Sequence, residues 1–222
     1  TKYLISKKKM LVLLPGLIND YLILEINKKR ISSYHTHYLD TIEKKYYRHH
    51  YQSKNKRHKV RFRTYLESSL SFLEVKLKHK GKTNKKRIVS SQKASLDEEQ
   101  KMFLSEWISE PPQILQTTLE NTFQRITLVN KIEQERVTID FNLNFLEGNR
   151  VVFLKDPVII EVKQSRVNRN SIISKLLRTK FIRPIRLSKY CIGCIMLDDS
   201  LKYNRFKPKL LKINQIQNIW NS

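Results

Sequence analysis

Polar and apolar side chains alternate with a period of two along five segments of the chain. The longest cationic series runs through residues 57–63, where Val60 and Phe62 occupy alternate positions. Because alternate residues of a strand face opposite sides of a sheet, these segments predict strands with a polar and an apolar face. The predicted polar faces comprise Arg57, Lys59, Arg61 and Arg63; Glu74, Lys76 and Lys78; Arg125 and Thr127; Arg136, Thr138 and Asp140; and Glu161 and Lys163.

Helical signals occur in two regions. Ser95 to Glu98 form the pattern of a capping box, and the apolar positions that follow keep helical spacing up to the stop at Pro111-Pro112. A second helix is predicted around residues 114–119, so the helical insertion covers about residues 95–120. A last helix over about residues 209–221 is predicted from Ile213, Ile216, Ile219 and Trp220. The lysine-rich stretch of residues 78–86 predicts a hairpin turn.

These elements predict a single α+β domain over residues 1–222, dominated by an antiparallel β-barrel of about eight strands with a few packing helices. Cations crowded inside such a barrel require a counter-anion, which a chain of phosphates would supply. Alternation alone leaves a second arrangement open, in which the polar faces meet water on an open sheet. The chain starts at Thr1, in strand-like composition and without a methionine. We therefore expect a truncated first strand and an upstream segment.

The chain carries 44 Lys and Arg against 20 Asp and Glu, a formal net charge of +24. Such an excess is typical of proteins that bind nucleic acid, an anionic membrane or polymeric phosphate, although an AT-rich genome also raises the lysine content. Its four glycines form no phosphate-binding loop, so side chains must hold any phosphate. Glu74 and Glu161 stand among lysines and would repel phosphate unless they bind a divalent cation. The alternative is that each glutamate pairs with the lysine two residues on.

Cysteine and histidine residues suggest little chemistry of their own. Cys191 and Cys194 form a single C-x-x-C inside an apolar segment, so both are expected to be small core residues. The six histidines all precede residue 80 and are expected at the surface or in turns rather than as ligands.

A series of short motifs runs from Lys2 to about Lys207. The motifs are Thr1-Lys2-Tyr3, Tyr38-Leu-Asp40, Arg61-Phe-Arg63-Thr-Tyr65, Phe72-Leu-Glu-Val-Lys76, Lys85-Lys-Arg87, Arg125, Glu135-Arg136 through Asp140, Glu161-Val-Lys163 and Ser188-Lys189-Tyr190. No one of them is specific, but their joint order and spacing resemble the polyphosphate polymerase domain of the vacuolar transporter chaperone (VTC) family. This family is one branch of the CYTH-like triphosphate tunnel metalloenzymes.

The resemblance implies a tunnel of eight antiparallel strands in which the γ-phosphate of ATP is added to polyphosphate with the help of Mn or Mg. Together with the strand faces, it gives three sets of candidate residues. The catalytic candidates are Arg61, Arg63, Lys76, Arg125, Arg136 and Lys189. The substrate-binding candidates are Lys2, His50, Lys59, Lys163, Arg186 and Ser188, and the metal-binding candidates are Glu161 and Glu74. A helix N-terminus at Ser188 would add backbone N–H groups to the anion site.

Two departures from the family pattern concern the site. An arginine of the polymerase members falls here near His49 or His50, and Phe123 stands where those members carry a tyrosine. Such changes affect catalytic competence more than the fold.

Two other functions remain open from the sequence. The same tunnel would serve a metal-dependent inorganic triphosphatase or polyphosphatase with water as the acceptor. In a nucleic-acid-binding module, Tyr46, Tyr47, Tyr51 and Tyr65 would stack on bases, but the glutamates among the lysines disfavour nucleic acid. We expect ATP or another triphosphate and polyphosphate as ligands, and a cytoplasmic location at the face of a membrane. The resemblance also implies a membrane-embedded partner subunit.

Overall fold

Ten strands and six helices make up the computed structural model, which describes residues 1–218. The strands are β1 (Lys2–Ser6), β2 (Tyr21–Ile23), β3 (Ser32–Asp40), β4 (Arg57–Tyr65), β5 (Leu70–His79), β6 (Lys82–Val89), β7 (Gln116–Asn130), β8 (Glu135–Glu147), β9 (Arg150–Leu154) and β10 (Pro157–Gln164). The helices are α1 (Lys7–Leu13), α2 (Lys45–Tyr51), α3 (Glu98–Ser105), α4 (Ile172–Thr179), α5 (Lys189–Leu197) and α6 (Lys207–Asn218).

All pairs of neighbouring strands are antiparallel. The main sheet runs in the order β1, β10, β8, β7, β3, β4, β5, β6, while β2 pairs with β7 and β9 with β8. This path contains the expected eight strands and confirms the α+β class. Within residues 1–218, β1 and β6 are not hydrogen-bonded to each other, so the sheet stays open along this seam instead of closing into a complete barrel.

The sheet is curled. β10 and β5 are five steps apart in the strand order, which would separate them by roughly 24 Å in a flat sheet. Nevertheless the Lys76 ammonium on β5 helps to lower the pKa of the Glu161 carboxyl on β10, so the two walls face each other. Lys59 of β4 also reaches Ser188 at the start of α5, with Nζ 2.9 Å from Oγ. The concave side therefore encloses a channel, named here the tunnel.

Three apolar clusters stabilise this arrangement. The first packs β7, β8 and α6 around α5 and includes the almost fully buried Phe145 and Tyr190. The second joins β1 and β10 to α1 and α4. The third buries Leu73 and Val75 of β5 under Leu104 of α3. This packing accounts for the alternation of polar and apolar residues in β5. Its apolar positions pack on a helix, and the intervening residues face the tunnel.

Several predicted elements need correction. The first helix begins later than predicted, because Asp97 caps it and forms the capping box with Gln100. The predicted second helix over residues 114–119 is wrong: a short 3-10 turn (Pro112–Ile114) leads directly into β7, where pairing with β3 outweighs the local helical pattern. The helical insertion therefore ends well before residue 120.

The hairpin and the last helix were predicted correctly where the structure describes them. Lys80 and Gly81 both have positive φ and connect β5 to β6 in a tight turn. In α6, Ile213 and Ile216 are buried as predicted, whereas Ile219 and Trp220 lie outside the described residues. Over residues 1–218 no helix combines the length and apolarity needed to cross a bilayer.

The histidines differ from their expected surface or turn positions. His58 lies within β4 and is only 4% exposed, with its ring 5.5 Å from the ring of Tyr46. His35 and His37 lie in β3. By contrast, both cysteines of α5 are buried and free, as predicted.

Helix α5 packs unusually close to the sheet at Gly193. A Cβ atom added there would meet Phe145 Cδ1 at 2.5 Å and Leu119 Cδ2 at 2.6 Å. Both contacted residues are almost fully buried, so neither has room to move aside. Glycine at this position therefore sets the depth of α5 against β7 and β8, and with it the position of the first residues of the helix.

We expect Gly193→Ala to lower the free energy of unfolding by about 1–3 kcal/mol through overpacking. The same substitution at Gly16 is a matched control, since an added Cβ there meets the end of the Leu176 side chain at 3.2 Å. Urea unfolding of both variants measures the difference. Equal stability of the two variants would contradict close packing at Gly193.

Candidate functional site

Strand register determines which side chains face the tunnel. Directly paired residues of neighbouring antiparallel strands project from the same face. The register pairs Arg61 with Glu74 and Lys59 with Lys76, and it pairs Lys2 with Glu161 across β1 and β10. The predicted site residues that the structure brings together in the tunnel are Lys2, Lys59, Arg61, Arg63, Glu74, Lys76, Arg125, Glu161, Ser188 and Lys189.

Glu74 is fully buried between two cations. Arg61 donates to its Oε2 from Nε and Nη2, at 2.8 and 2.5 Å, and Lys85 of β6 forms an ion pair with Oε1. Burial by itself would raise the pKa of Glu74, but Arg61 and Arg63 lower it to about 2. The partners of Glu74 are thus cations of the neighbouring strands and not Lys76, the lysine two residues on.

A second buried carboxylate, Asp140 of β8, holds two cations of the opposite wall. Arg125 of β7 donates to it through two parallel bonds, at 2.5 and 2.8 Å, and Lys189 of α5 donates to Oδ2. Burial opposes ionisation, yet Lys189 and Arg125 keep the pKa of Asp140 far below its usual range. Because three separate elements meet at this carboxylate, it positions Arg125 and Lys189 relative to each other.

An aromatic platform lies beneath the cations of this wall. The rings of Tyr34 and Phe123 stack with centroids 4.9 Å apart and an angle of 3° between their planes. The guanidinium carbon of Arg125 lies 5.0 Å from the centroid of the Tyr34 ring, and the Lys189 ammonium nitrogen lies 4.0 Å from the centroid of the Phe123 ring. The guanidinium carbon of Arg63 lies 5.7 Å from both centroids. Phe123, which departs from the family pattern, therefore keeps a cation–π role without a hydroxyl.

The N-terminus of α5 opens onto the tunnel as predicted. Ser188 caps the helix by accepting from the backbone N–H of Cys191, and it also accepts from Lys59 Nζ. Lys2 Nζ donates to the carbonyl oxygen of Leu187 at 3.1 Å. These contacts place two lysines of different strands beside the positive end of the helix, where an anion is favoured.

Burial and neighbouring cations lower the pKa of several tunnel lysines. The neighbouring Arg61, together with burial and Arg63, lowers the pKa of Lys76 to about 6. Burial lowers the pKa of Lys189 to about 7 despite its contact with Asp140, and burial lowers that of Lys59 to about 8. In the free protein these lysines are therefore partly deprotonated near neutral pH, because charge repulsion and desolvation disfavour the ammonium form.

This electrostatic situation predicts that anion binding takes up protons. Phosphate oxygens beside Lys76 would raise its pKa, so binding at pH 7.5 should add a proton to it, and affinity should fall as pH rises above about 6. We expect Lys76→Met to take up fewer protons than the parent when it binds tripolyphosphate. Calorimetric titration in EDTA, in buffers of different ionisation enthalpy, gives the number of protons taken up. Lys78→Met, on the same strand face, is the control. Equal uptake by the parent and both variants would contradict this effect.

Glu161 differs from the other two carboxylates of the tunnel. Within residues 1–218, no hydrogen bond or ion pair engages its side chain, whereas Glu74 and Asp140 each hold two cations. Burial raises its pKa, but Lys2, Lys163, Arg125 and Lys76 together lower it. A half-buried, ionised and unpaired carboxylate among cations has the donor chemistry of a Mn or Mg ligand that shares the metal with phosphate oxygens.

The remaining predicted residues lie at the margins of the tunnel or outside it. Arg136 and Lys163 are paired in register and exposed, and Arg186 is also exposed. The ring of His50 is hydrogen-bonded to the carbonyl oxygen of His58, and burial together with Lys59 lowers its pKa to about 3. His50 is therefore neutral and adds no charge to the site.

Some residues of the tunnel were not among the predicted site residues. They are Tyr34, Thr36, Lys85, Phe123 and Asp140. Asp140 was already aligned on a polar strand face, and the same alternation through Tyr34 and Thr36 would have indicated β3. Alternation did not indicate Lys85, because most neighbouring residues of β6 are also polar, although the motif Lys85-Lys-Arg87 had included it.

The two arginines of β4 are expected to respond differently to removal. Arg63 donates to Thr36 Oγ1, and no ion pair engages it within residues 1–218. Arg63→Ala should therefore weaken tripolyphosphate binding at least tenfold without loss of stability, by removing a charge-assisted contact. Arg61→Ala leaves Glu74 with Lys85 alone and should lower the free energy of unfolding by about 3 kcal/mol. Calorimetric titration measures the change in binding, and urea unfolding measures the change in stability. Equal destabilisation by the two changes would contradict the conclusion that Arg61, and not Arg63, is an ion-pair partner of Glu74.

Known proteins share this fold at low sequence identity, although no curated protein matches the chain. A proposed adenylyl cyclase from Hippeastrum, described as having a dominant triphosphatase activity, is 12% identical with a TM-score of 0.54 over 88% of this chain and 95% of its own. A proposed adenylate cyclase from Bacillus halodurans is 14% identical with a TM-score of 0.53 over 85% and 91% of the two chains. One from Vibrio parahaemolyticus is 11% identical with a TM-score of 0.51 over 86% and 96%.

The family is shown by a comparison of sequence rather than of fold. The sequence model of the VTC domain matches residues 1–197 of the 222 residues. This range contains every strand of the tunnel and the whole of α5. The chain therefore belongs to the VTC domain family, in agreement with the order and spacing of its motifs.

Proposed function

We propose that the protein binds triphosphate and polyphosphate in the tunnel and transfers phosphoryl groups with a divalent metal. The observation that carries this proposal is the charge inside the tunnel. Within residues 1–218, eight cationic side chains and three carboxylates line the tunnel, a formal excess of five positive charges in a partly buried space. The cations are Lys2, Lys59, Arg61, Arg63, Lys76, Lys85, Arg125 and Lys189, and the carboxylates are Glu74, Asp140 and Glu161. A linear chain of phosphates matches this excess in both shape and charge.

Phosphoryl transfer requires mainly positioning and charge neutralisation, with little covalent chemistry from the protein. Arg63, Arg125 and Lys189 stand over the aromatic platform and would hold the oxygens of one phosphate. Lys59 and Lys2, beside the N-terminus of α5, would hold those of a neighbouring phosphate. Glu161 would hold the metal, which when bound neutralises charge on the transferring group. We assign Glu74 to holding Arg61 and Lys85, since its oxygens already face these cations.

The acceptor of the phosphoryl group distinguishes two candidate reactions. With polyphosphate as the acceptor the protein is a polymerase, which is the activity implied by the resemblance of its motifs. With water as the acceptor it is a triphosphatase, and the activity described for the Hippeastrum protein supports this second candidate. Association with a membrane-embedded partner subunit stays a prediction of the resemblance.

Two of the four tyrosines named for base stacking weaken the nucleic-acid alternative. Tyr46 and Tyr47 are 0% and 1% exposed, and their hydroxyls are bonded to Glu110 and to the carbonyl oxygen of Lys202. Neither ring can stack on a base without unfolding its surroundings.

Incubation with ATP and Mn, followed by gel and phosphorus NMR analysis, tests the function. Long phosphate chains support the polymerase, and orthophosphate alone supports the hydrolase. Absence of both products, together with stabilisation by DNA that equals that by tripolyphosphate at matched phosphate concentration, would overturn the proposal. A mock preparation from cells that do not express the protein serves as the negative control for contaminating activity.

A further inference from the structure

The outer face of β3 carries a second group of potential metal ligands. His35 and His37 alternate with Thr36, which faces the tunnel and accepts from Arg63, so the two imidazoles project from the opposite side of the sheet. The register places Glu120 of β7 directly beside His37. One ligand atom from each of the three side chains lies within 4.8 Å of the others.

The individual distances fit a small metal ion. His35 Nε2 lies 2.8 Å and His37 Nδ1 3.7 Å from Glu120 Oε2. A tetrahedral zinc ion with bonds of about 2.0–2.1 Å holds its ligand atoms about 3.3 Å apart, a value between these two distances. Because the ligand atoms of His35 and His37 also lie within 4.8 Å of each other, rotations of the side chains would place all three atoms around one ion.

One ring nitrogen of His37 lacks a hydrogen-bond partner in the described part of the chain, which is a second indication of a metal site. Its Nδ1 is shielded from solvent and has no hydrogen-bond partner within residues 1–218, although it faces the Glu120 carboxylate. A buried polar atom without a partner is unfavourable, and a metal ion would satisfy it. The side chains of His35 and Glu120 are about one third exposed, so an ion has access from solvent.

We propose that His35, His37 and Glu120 form a zinc-type metal site on the outer face of the sheet, separate from the tunnel. Two imidazoles and one carboxylate favour zinc and similar transition metals over Mn or Mg, which prefer oxygen ligands. Three protein ligands leave a fourth position for water. A bound ion would link β3 to β7 directly behind the tunnel residue Thr36, which accepts from Arg63. This inference does not depend on the activity proposed for the tunnel.

To test the site, protein without a polyhistidine tag is first stripped of metal with EDTA and is then titrated with metal. Equilibrium dialysis should show one zinc ion bound per chain at these ligands, and Co²⁺ should give the intense visible absorption of a four-coordinate site. His35→Gln combined with His37→Gln should weaken zinc binding at least tenfold. His79→Gln, which changes an exposed histidine of β5, and Glu161→Gln, which changes the tunnel, should both keep it.

Loss of zinc binding in Glu161→Gln with retention in the double histidine variant would overturn the proposal. So would a parent protein that binds zinc only above about 1 mM. If the double variant does not fold, Glu120→Gln and the Co²⁺ spectrum of the parent decide, since a spectrum without the four-coordinate bands contradicts the site.

Discussion

Glu161→Gln is expected to abolish metal-dependent turnover while leaving metal-free binding of triphosphate unchanged or tighter. Glutamine keeps the size of the side chain and removes the charge that would hold the metal beside the phosphates. Because no hydrogen bond or ion pair engages Glu161 within residues 1–218, its loss leaves no buried partner behind, and stability should hold. Turnover with Mn and calorimetric titration in EDTA measure the two effects on one variant.

Glu74→Gln is the matched control, because it removes the same charge from the opposite wall. Arg61 and Lys85 would lose their common partner, so this variant should be less stable but should still respond to Mn. If Glu161→Gln retains turnover, Glu161 is not the metal ligand. If Glu74→Gln alone loses the response to Mn, the metal site belongs at Glu74.

Asp140→Asn is expected to lower the free energy of unfolding by about 3–5 kcal/mol, the largest stability effect predicted for the tunnel. Asp140 is 2% exposed and compensates both Arg125 and Lys189, so its neutralisation leaves two cations crowded together without a partner. Phosphate oxygens can replace the lost carboxylate. Tripolyphosphate should therefore raise the melting temperature of this variant more than it raises that of the parent.

Asp198→Asn provides a matched control outside the tunnel. Asp198 pairs with Lys44 and its side chain is 23% exposed, so its neutralisation should destabilise the protein less and leave tripolyphosphate affinity unchanged. Equal ligand-induced shifts in melting temperature for Asp140→Asn and the parent would show that Asp140 does not position cations for an anion.

The faces of the individual strands could be predicted from local stereochemistry. Alternation over residues 57–63 placed Lys59, Arg61 and Arg63 on one side, and they do face the tunnel. The same reasoning separated Glu161 from the apolar Ile160 and Val162. The helix beginning after Ser188 was also predictable, because N-capping depends on a few consecutive residues.

Contacts between distant strands could not be predicted in this way. Alternation shows that Glu74 and Glu161 lie on polar faces, but it does not show that Arg61 and Lys85 neutralise Glu74 while Glu161 has no ion-pair partner within residues 1–218. This difference depends on which strands are neighbours and on their register. Likewise, local helix propensity over residues 114–119 was overridden by the pairing of β7 with β3.

The sequence by itself determined the family, the α+β class, the cationic strand faces and the start of α5, because motif order, side-chain period and capping are properties of short stretches of chain. Only the tertiary structure decided that the sheet curls without closing and that Asp140 joins Arg125 to Lys189. It also decided that Glu120 meets His35 and His37. These features depend on strand order and register. Both are determined by packing between residues that can lie more than one hundred positions apart in sequence.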